Sequence, residues 1–186
     1  MLVEVTVDRL GLDGTTKSPV VILKEGDGDR ALPIWIGPGE ASAIHMQMSN
    51  ITVGRPLTHD LLASTIRELG GTLSRVVITR VQQNTYYAEL QLTIEGRTVT
   101  VDARPSDSIA LALRTGSPIF ADADLLDRVR MEMLDGEDSP TEPFDLTGPG
   151  TEAASEGEDE LRGMTPSELQ RHLKNLDPED FGRVTP

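Results

Sequence analysis

The chain has 186 residues, no cysteine and a formal net charge of −14, which is enough for one domain of ordinary size with an appendage. The absence of cysteine excludes disulfides and thiolate metal sites, and no apolar run reaches the ~18 residues that a membrane span requires. We therefore expect a cytoplasmic protein without a membrane partner.

The negative charge lies mostly near the end of the chain. Residues 1–130 carry 13 Lys and Arg against 16 Asp and Glu, whereas residues 131–186 carry 4 against 15. The first part is nearly neutral, so the overall charge does not exclude nucleic acid as a partner. The composition predicts a domain over 1–134, a disordered acidic linker over 135–163 and a short C-terminal helical segment over 164–186.

The hydrophobic pattern of the first half predicts three strands and a helix, in the segments EVTVDRL, PVVILK, ALPIWIG and PGEASAIHMQMSN. The first of these strands alternates apolar and polar residues, and Gly and Asp mark the turn before the third. A second helix follows in THDLLASTIRELGG, with Thr58 predicted as its N-cap and Gly70 near its end.

The second half repeats this order. Three strands and a helix are predicted in LSRVVITRV, TYYAELQLTI, RTVTVDA and SDSIALALR, followed by a brief strand in SPIFAD and a last helix in DADLLDRVRMEM. Aligning Pro38 with Pro105 sets Glu40 beside Asp107, which favours an internal duplication. The predicted fold is α+β, with a mostly antiparallel sheet or sheets built from a duplicated three-strand-plus-helix unit.

The corner VDARPSDSIALALR contains the first candidate site. Pro105 suits the first helical turn, and Ser106 and Asp107 can accept hydrogen bonds from the free amides there, as Glu40 can in the first half. Capping does not explain Asp102 and Arg104. They fit either a phosphate site beside the helix N-terminus or an ordinary salt bridge.

RPLTHDLL contains the second candidate. His59 and Asp60 fall in the first helical turn, where Asp60 complements the helix dipole. General acid–base chemistry or metal ligation by His59 is chemically feasible, and packing at the helix start is the alternative.

Several catalytic patterns are absent from the sequence, including the P-loop, the dinucleotide-binding glycine motif, GxSxG and HExxH. No cluster of His and Cys fits structural zinc either, so a bound metal would be a hard ion such as Mg²⁺ or Mn²⁺ held by carboxylates. The acids able to supply those carboxylates, if folding brings them together, are Glu40, Asp60, Asp102 and Asp107.

Four segments in series closely resemble the bifunctional nuclease (BFN) domain family: LPIWIGPGEASAI, RPLTHDLL, the YYAEL strand and VDARPSDSIALALR. The likeness covers residues 1–130, and LKNLDPEDFG resembles the carboxy-terminal segment of some members. The resemblance implies an α+β fold, nuclease activity on both RNA and DNA, and a homo-oligomer.

The family's recurrent polar positions correspond here to Glu40, Arg55, Thr58, His59, Asp60, Asp102, Arg104, Ser106 and Asp107. On this basis we expect Asp102, Asp107 and His59 to be catalytic. Arg104, Arg55 and Ser106 would bind the substrate. A divalent Mg²⁺ or Mn²⁺, held by Glu40, Asp102 and Asp107, would activate water for phosphodiester cleavage.

A non-catalytic oligomeric module that binds a ligand or protein is the alternative. The nearly neutral domain and the scarcity of aromatic residues favour that class, whereas the family resemblance favours a nuclease. A nuclease is expected to show a positive cleft, and a module an exposed apolar patch without convergent carboxylates. The candidates for the cleft are Arg55, Arg80, Arg97 and Arg104.

Overall fold

Strands and helices follow one another in two similar blocks in the computed structural model, which describes residues 1–26, 28–135 and 142–143. The first block comprises β1 (Leu2–Leu12), β2 (Pro19–Glu25), β3 (Ala31–Trp35) and α1 (Pro38–Met48). The helix α2 (Thr58–Glu68) leads to the second block, β4 (Gly71–Gln82), β5 (Thr85–Ile94), β6 (Arg97–Ala103) and α3 (Pro105–Thr115). The described part ends with β7 (Ile119–Asp122), α4 (Ala123–Asp135) and β8 (Glu142–Pro143).

The strands form one mixed sheet in the order β3-β2-β1-β7-β4-β5-β6, and β8 pairs with β1 off this path. β7 is antiparallel to β1 and parallel to β4. β1 and β4 therefore run in opposite directions, as expected if a half-turn about the sheet normal relates the two blocks. The predicted α+β fold with mostly antiparallel strands is confirmed.

β7 joins the two blocks into one sheet. Ile119 is in register with Val5 of β1 on one side and Val76 of β4 on the other, and all three side chains are buried. The sequence predicted this segment as a brief strand but could not assign its partners, because a four-residue strand carries no register information of its own.

One hydrophobic core lies between the sheet and the helices. Leu23, Ile44, Ile78, Ile109 and Leu126 are each fully buried in it, so the sheet, α1, α3 and α4 all contribute. This contiguity explains why the two blocks form one structural unit within the described residues.

The strand β6 lies largely outside this core. It lies at the edge of the sheet, and Val99 and Val101 are about two-fifths exposed, although Leu92 and Leu90 opposite them are buried. The helices thus cover the second block only as far as β5.

The predicted linker and C-terminal segment are largely outside the described residues. Of residues 135–163 the structure describes Asp135, the last residue of α4, and the two residues of β8. Residues 164–186 lie wholly outside the described part, so the helical segment there stays a prediction.

Candidate functional site at two helix N-termini

A groove lies where β3 and β6 end and where α1 and α3 begin, next to the turn between β4 and β5. Its volume is about 270 Å³. The aromatic and polar residues along it are Trp35, Glu40, Asn84, Thr85, Tyr86, Arg104 and Ser106. The two corners that the sequence aligned with each other therefore face the same space.

Arg104 connects these corners through two carboxylates. Its Nη1 donates to Glu40 Oε1 at 2.8 Å, and its Nε donates to Asp107 Oδ2 at 2.8 Å. Its Nη2 also donates to Asp107 Oδ1 at 3.2 Å. Asp107 raises the pKa of Arg104, with Glu40 adding to the effect. A guanidinium held at several points in this way has a fixed orientation toward the groove.

His59 extends this network to α2. Its Nε2 lies 3.0 Å from Asp107 Oδ1, and its side chain is 13% exposed. Burial alone would raise the pKa of Asp107, but hydrogen bonds from Arg104 and His59 outweigh burial and hold that pKa below its ordinary value. We call Glu40, Arg104, Asp107 and His59 the four-residue network.

The helices α1 and α3 begin at the groove without a side-chain cap. Gly37 and Arg104 are their N-cap residues, and neither helix start receives a capping hydrogen bond from a side chain. The expectation that Glu40, Ser106 and Asp107 cap these ends is therefore wrong. Glu40 and Asp107 bond Arg104 instead, because a guanidinium is a stronger partner for a carboxylate than a backbone amide is.

Two uncapped helix starts change the electrostatics of the groove. Leaving His59 aside, two carboxylates and one guanidinium sum to a charge of −1. Each helix N-terminus contributes roughly +0.5 through its free N–H groups, so the total is close to zero. An anion can therefore approach Arg104 despite the two neighbouring acids.

Arg114, which sequence reasoning missed, holds the three helices together behind this site. Its side chain is 6% exposed and it bonds Asp60 of α2, the Ala43 carbonyl of α1 at 3.2 Å and the Ala110 carbonyl of its own helix at 3.0 Å. The sequence did contain a signal for this role, because Arg114 directly follows the apolar stretch IALAL near the end of α3.

Asp60 also defines the start of α2. Its Oδ2 accepts from the backbone N–H of Leu57 at 2.9 Å. This hydrogen bond is the largest cause of the lowered pKa of Asp60, and the hydrogen bond from Arg114 is the second. Leu57 is the N-cap and Thr58 the first helical residue, so the predicted Thr58 cap is wrong by one position. A carboxylate at the third helical position that reaches back to the cap residue makes a hydroxyl at the cap unnecessary.

Two other predicted site residues lie outside the network. Asp102 is exposed on β6, in register with Glu89, and forms no hydrogen bond or ion pair within the described residues. Arg55 is exposed in the connection between α1 and α2, where it lines a different hollow with Asp60 and Arg114. Ser106 lines the groove, and its role in binding substrate stays a prediction.

The predicted metal ligands do not fit a three-carboxylate site. Glu40 and Asp107 both direct oxygens at the Arg104 guanidinium, and Asp102 is not among their partners. In the part of the chain that the structure describes, no group of three His, Asp or Glu side chains could hold a metal ion. Dependence on Mg²⁺ or Mn²⁺ stays a prediction.

The arginines expected to form a positive cleft are dispersed. Arg104 borders the groove, but Arg97 begins β6 at the opposite end of a strand that spans roughly 20 Å. Arg80 stacks on the Tyr87 ring, 4.2 Å from its centroid. Positive potential at the groove therefore comes from Arg104 and the helix starts rather than from a cluster of arginines.

Trp35 is oriented by a turn of the first block. Its indole Nε1 donates to Asp13 Oδ2 at 3.1 Å. The backbone N–H and hydroxyl of Thr16 are the larger influences on Asp13, and together with the indole they lower its pKa to about 2. The single tryptophan of the chain is thus fixed at the edge of the groove.

The lowered pKa of Asp13 predicts a specific response to acid. The contribution of Asp13 to stability is present above its ordinary value of 3.8 and is lost as the pH falls through about 2. In the Trp35→Phe variant the pKa of Asp13 should rise because the indole donor is lost. It should stay below 3.8 because the donors of Thr16 remain. An NMR titration of the Asp13 carboxyl in both proteins measures this, and an unchanged pKa in the variant would show that the indole bond is not formed in solution.

The fold and the groove define an α+β protein with an arginine-centred groove at paired helix starts. The family model described as the bifunctional nuclease domain matches residues 21–133, and the chain belongs to this family. The predicted family is confirmed. None of the described helices is long and apolar enough to cross a membrane.

Similar proteins differ in how much of their length is matched. A protein of Mycobacterium tuberculosis (strain CDC 1551 / Oshkosh) described as uncharacterised is 37% identical over 178 residues, 96% of this chain and 97% of that protein. Bifunctional nuclease 2 of Oryza sativa subsp. japonica is 31% identical over 105 residues, 54% of this chain and 32% of that protein. Bifunctional nuclease 1 of Arabidopsis thaliana is 30% identical over 105 residues, again 54% and 32%.

Proposed function

We propose that this protein hydrolyses phosphodiester bonds in RNA and DNA with low sequence specificity, and that the groove is its active site. The observation that carries the proposal is Arg104, held by two carboxylates between two uncapped helix starts. Membership of the nuclease family supports it. Contacts directed at phosphate groups carry no sequence information, which agrees with low specificity.

In this proposal Arg104 receives a non-bridging oxygen of the scissile phosphate. The free amides at the start of α3 and the hydroxyl of Ser106 stabilise the charge that develops as the phosphorus is attacked. Glu40, which lines the groove, takes the proton of the attacking water. The new bond joins the water oxygen to phosphorus, and the bond to the leaving sugar oxygen breaks. That oxygen takes up a proton from solvent water, and Glu40 then returns the proton it accepted to solvent.

Asp107 and His59 act as positioning residues in the same scheme. Asp107 orients the Arg104 guanidinium, and His59 holds the other side of the Asp107 carboxylate. Neither residue lines the groove, whereas Glu40 and Arg104 do. A direct proton transfer by His59, and roles for Asp102 and Arg55, stay predictions.

The test compares Asp107→Asn with Asp102→Asn in cleavage of labelled RNA and DNA by highly purified protein, with and without chelator. Asp107→Asn weakens the bonds of this side chain to Arg104 and His59 and so misplaces the guanidinium, and cleavage should fall by about 100-fold. Asp102→Asn should leave the rate unchanged because its side chain lies outside the network. The chelator arm tests the predicted need for Mg²⁺ or Mn²⁺.

Two outcomes would contradict the proposal. Equal cleavage by wild type and Asp107→Asn, with both proteins folded, would remove the groove as the active site. Loss of cleavage in Asp102→Asn alone would move the active site to the exposed face of β6. Thermal unfolding of each variant is the control, since only a folded protein makes the rates comparable.

Gly37→Ala should reduce cleavage without unfolding the protein. A Cβ at Gly37 would lie 2.4 Å from Glu40 Oε2, so the Glu40 carboxylate must move away from its place beside Arg104. The backbone of Gly37 (φ −75°, ψ 161°) suits any residue. The free energy of unfolding should therefore change by less than about 1 kcal/mol.

Gly39→Ala is the matched control for this prediction. A Cβ at Gly39 meets nothing within 4 Å, and alanine favours the helix. Full activity in Gly39→Ala with reduced activity in Gly37→Ala is the expected result of the cleavage assay. Equal rates in the two variants would show that Glu40 does not take part.

The second candidate function, an oligomeric binding module, is favoured by α2. This helix buries no residue, and Leu57, Leu61 and Leu69 at or beside it are exposed. A homo-oligomer, in which a second copy would cover this surface, stays a prediction, as does the cytoplasmic location. Purified protein that forms a stable oligomer and cleaves neither RNA nor DNA would favour the module over the nuclease.

A further inference from the structure

A second and larger cavity adjoins the groove. Its volume is about 550 Å³, and we call it the outer cavity. It is lined by Trp35, Val81, Gln83, Asn84, Tyr86 and Arg128. Trp35, Asn84 and Tyr86 line the groove as well, so the two spaces meet along these side chains. The proposed chemistry at Arg104 uses none of these residues.

Trp35 offers an oriented aromatic surface at the junction. Its side chain is 47% exposed, although large aromatic side chains usually pack in the interior of a protein. The bond from its indole to Asp13 fixes the ring rather than leaving it free to rotate. An exposed, immobilised indole suits stacking against another planar ring.

The turn between β4 and β5 places polar side chains at the outer cavity, although its backbone conformation is unfavourable for residues other than glycine. Gln83 and Asn84 both have positive φ angles, 50° and 58°. This turn type strongly favours glycine at its second position, and the turn between β5 and β6 has Gly96 there. Asn84 instead places an amide side chain in the cavity wall. Within the described residues, the side-chain amides of Gln83 and Asn84 form no hydrogen bond.

The described residues that line the outer cavity carry a positive charge. Among them Arg128 is the only charged residue, and it forms no ion pair within the described part of the chain. The adjoining groove contains a second positively charged side chain, that of Arg104. A ligand that carries one planar ring and two anionic groups matches this arrangement.

We propose that the outer cavity is a nucleotide subsite, in which a base stacks on Trp35 and accepts or donates hydrogen bonds at Asn84. One phosphate of the nucleotide lies at Arg104, and the other lies at Arg128. The position of the first phosphate rests on the proposed function, because Arg104 is there the group that holds the scissile phosphate. The stacking surface and the amide are independent of any cleavage.

Adenosine 3′,5′-bisphosphate is the probe, since it carries a base with two phosphates but no linkage between nucleotides for a nuclease to cut. Trp35 is the single tryptophan, so its fluorescence reports on the cavity directly. Saturable quenching by the bisphosphate is expected, and ribose 5-phosphate at the same concentrations should quench little. N-acetyltryptophanamide, titrated in parallel, corrects for absorption of the exciting light by adenine.

Variants assign the contacts by calorimetry. Trp35→Ala should weaken binding of the bisphosphate by about 5- to 150-fold, the range for loss of one base stack. Asn84→Gly should weaken it by about 2- to 10-fold, as for one neutral hydrogen bond. Glycine suits this turn position, so the Asn84 variant keeps its fold. Arg128→Gln should weaken the bisphosphate more than it weakens adenosine.

The outcomes separate this inference from the proposed function. A protein that cleaves RNA while its Trp35 fluorescence ignores the bisphosphate, or responds equally to ribose 5-phosphate, overturns the nucleotide subsite and leaves the nuclease proposal standing. A protein that shows base-dependent quenching weakened by Asn84→Gly, yet cleaves nothing, supports the subsite and removes the nuclease proposal.

Discussion

Replacing Arg104 by glutamine lowers the rate of phosphodiester cleavage by about 100- to 1000-fold, the usual effect of deleting one group that stabilises transition-state charge. The guanidinium is the one positive side chain among the described residues that line the groove. Without it, the negative charges of Glu40 and Asp107 lose their counter-charge, and Glu40, which lines the groove, repels an incoming phosphate. The measurement is single-turnover cleavage of labelled RNA and DNA.

Arg104→Lys sharpens this prediction. A lysine keeps the charge but cannot bond two carboxylates through a planar fork, so the rate should fall between those of wild type and Arg104→Gln. The control is Arg97→Gln at the far end of β6, which should cleave at the wild-type rate. If Arg97→Gln and Arg104→Gln lose activity equally, the loss reflects weaker electrostatic attraction of nucleic acid to the whole protein rather than a contact in the groove.

The same Arg104 substitution should scarcely affect stability. The Arg104 side chain is 66% exposed, and exposed ion pairs contribute at most about 1 kcal/mol. Urea unfolding of Arg104→Gln should therefore match wild type within that limit. A large loss of stability would mean that the four-residue network holds the fold rather than the substrate.

Arg114→Met gives the opposite pattern, a loss of stability of about 3 kcal/mol. The Arg114 side chain is buried and bonds groups on α1, α2 and α3, so its removal leaves Asp60 and two carbonyls without that partner. Methionine fills similar space, which separates the lost bonds from a cavity effect. Urea unfolding monitored by circular dichroism measures the change.

Arg67→Met is the matched control for Arg114→Met. Both arginines lie in the last turn of a helix, but Arg67 pairs with Glu68 at 3.7 Å with both side chains largely exposed. Its substitution should cost less than about 0.5 kcal/mol. Equal destabilisation by the two variants would show that the buried position of Arg114 is unimportant.

The hydrophobic pattern determined the elements of this protein and the likeness of its two halves. Helices 38–48, 58–68 and 105–115 and the strands of both blocks follow from local periodicity and turn residues, which depend only on neighbours in the chain. The serial motifs also determined the family, which the match over residues 21–133 confirms. Glu40 and Asp107 were recognised as equivalent positions for the same reason.

The tertiary structure decided which polar residues meet. Asp102 and Arg104 are two residues apart and looked equivalent in the sequence. Asp102 still lies within β6, which ends at Ala103, whereas Arg104 is the N-cap residue of α3 and lines the groove. His59 reaches Asp107 across 48 positions because Arg114 holds the helices together. The insertion of β7 between the blocks also depends on long-range pairing. Contacts of this kind have no local signal, since they arise only when distant segments share one core.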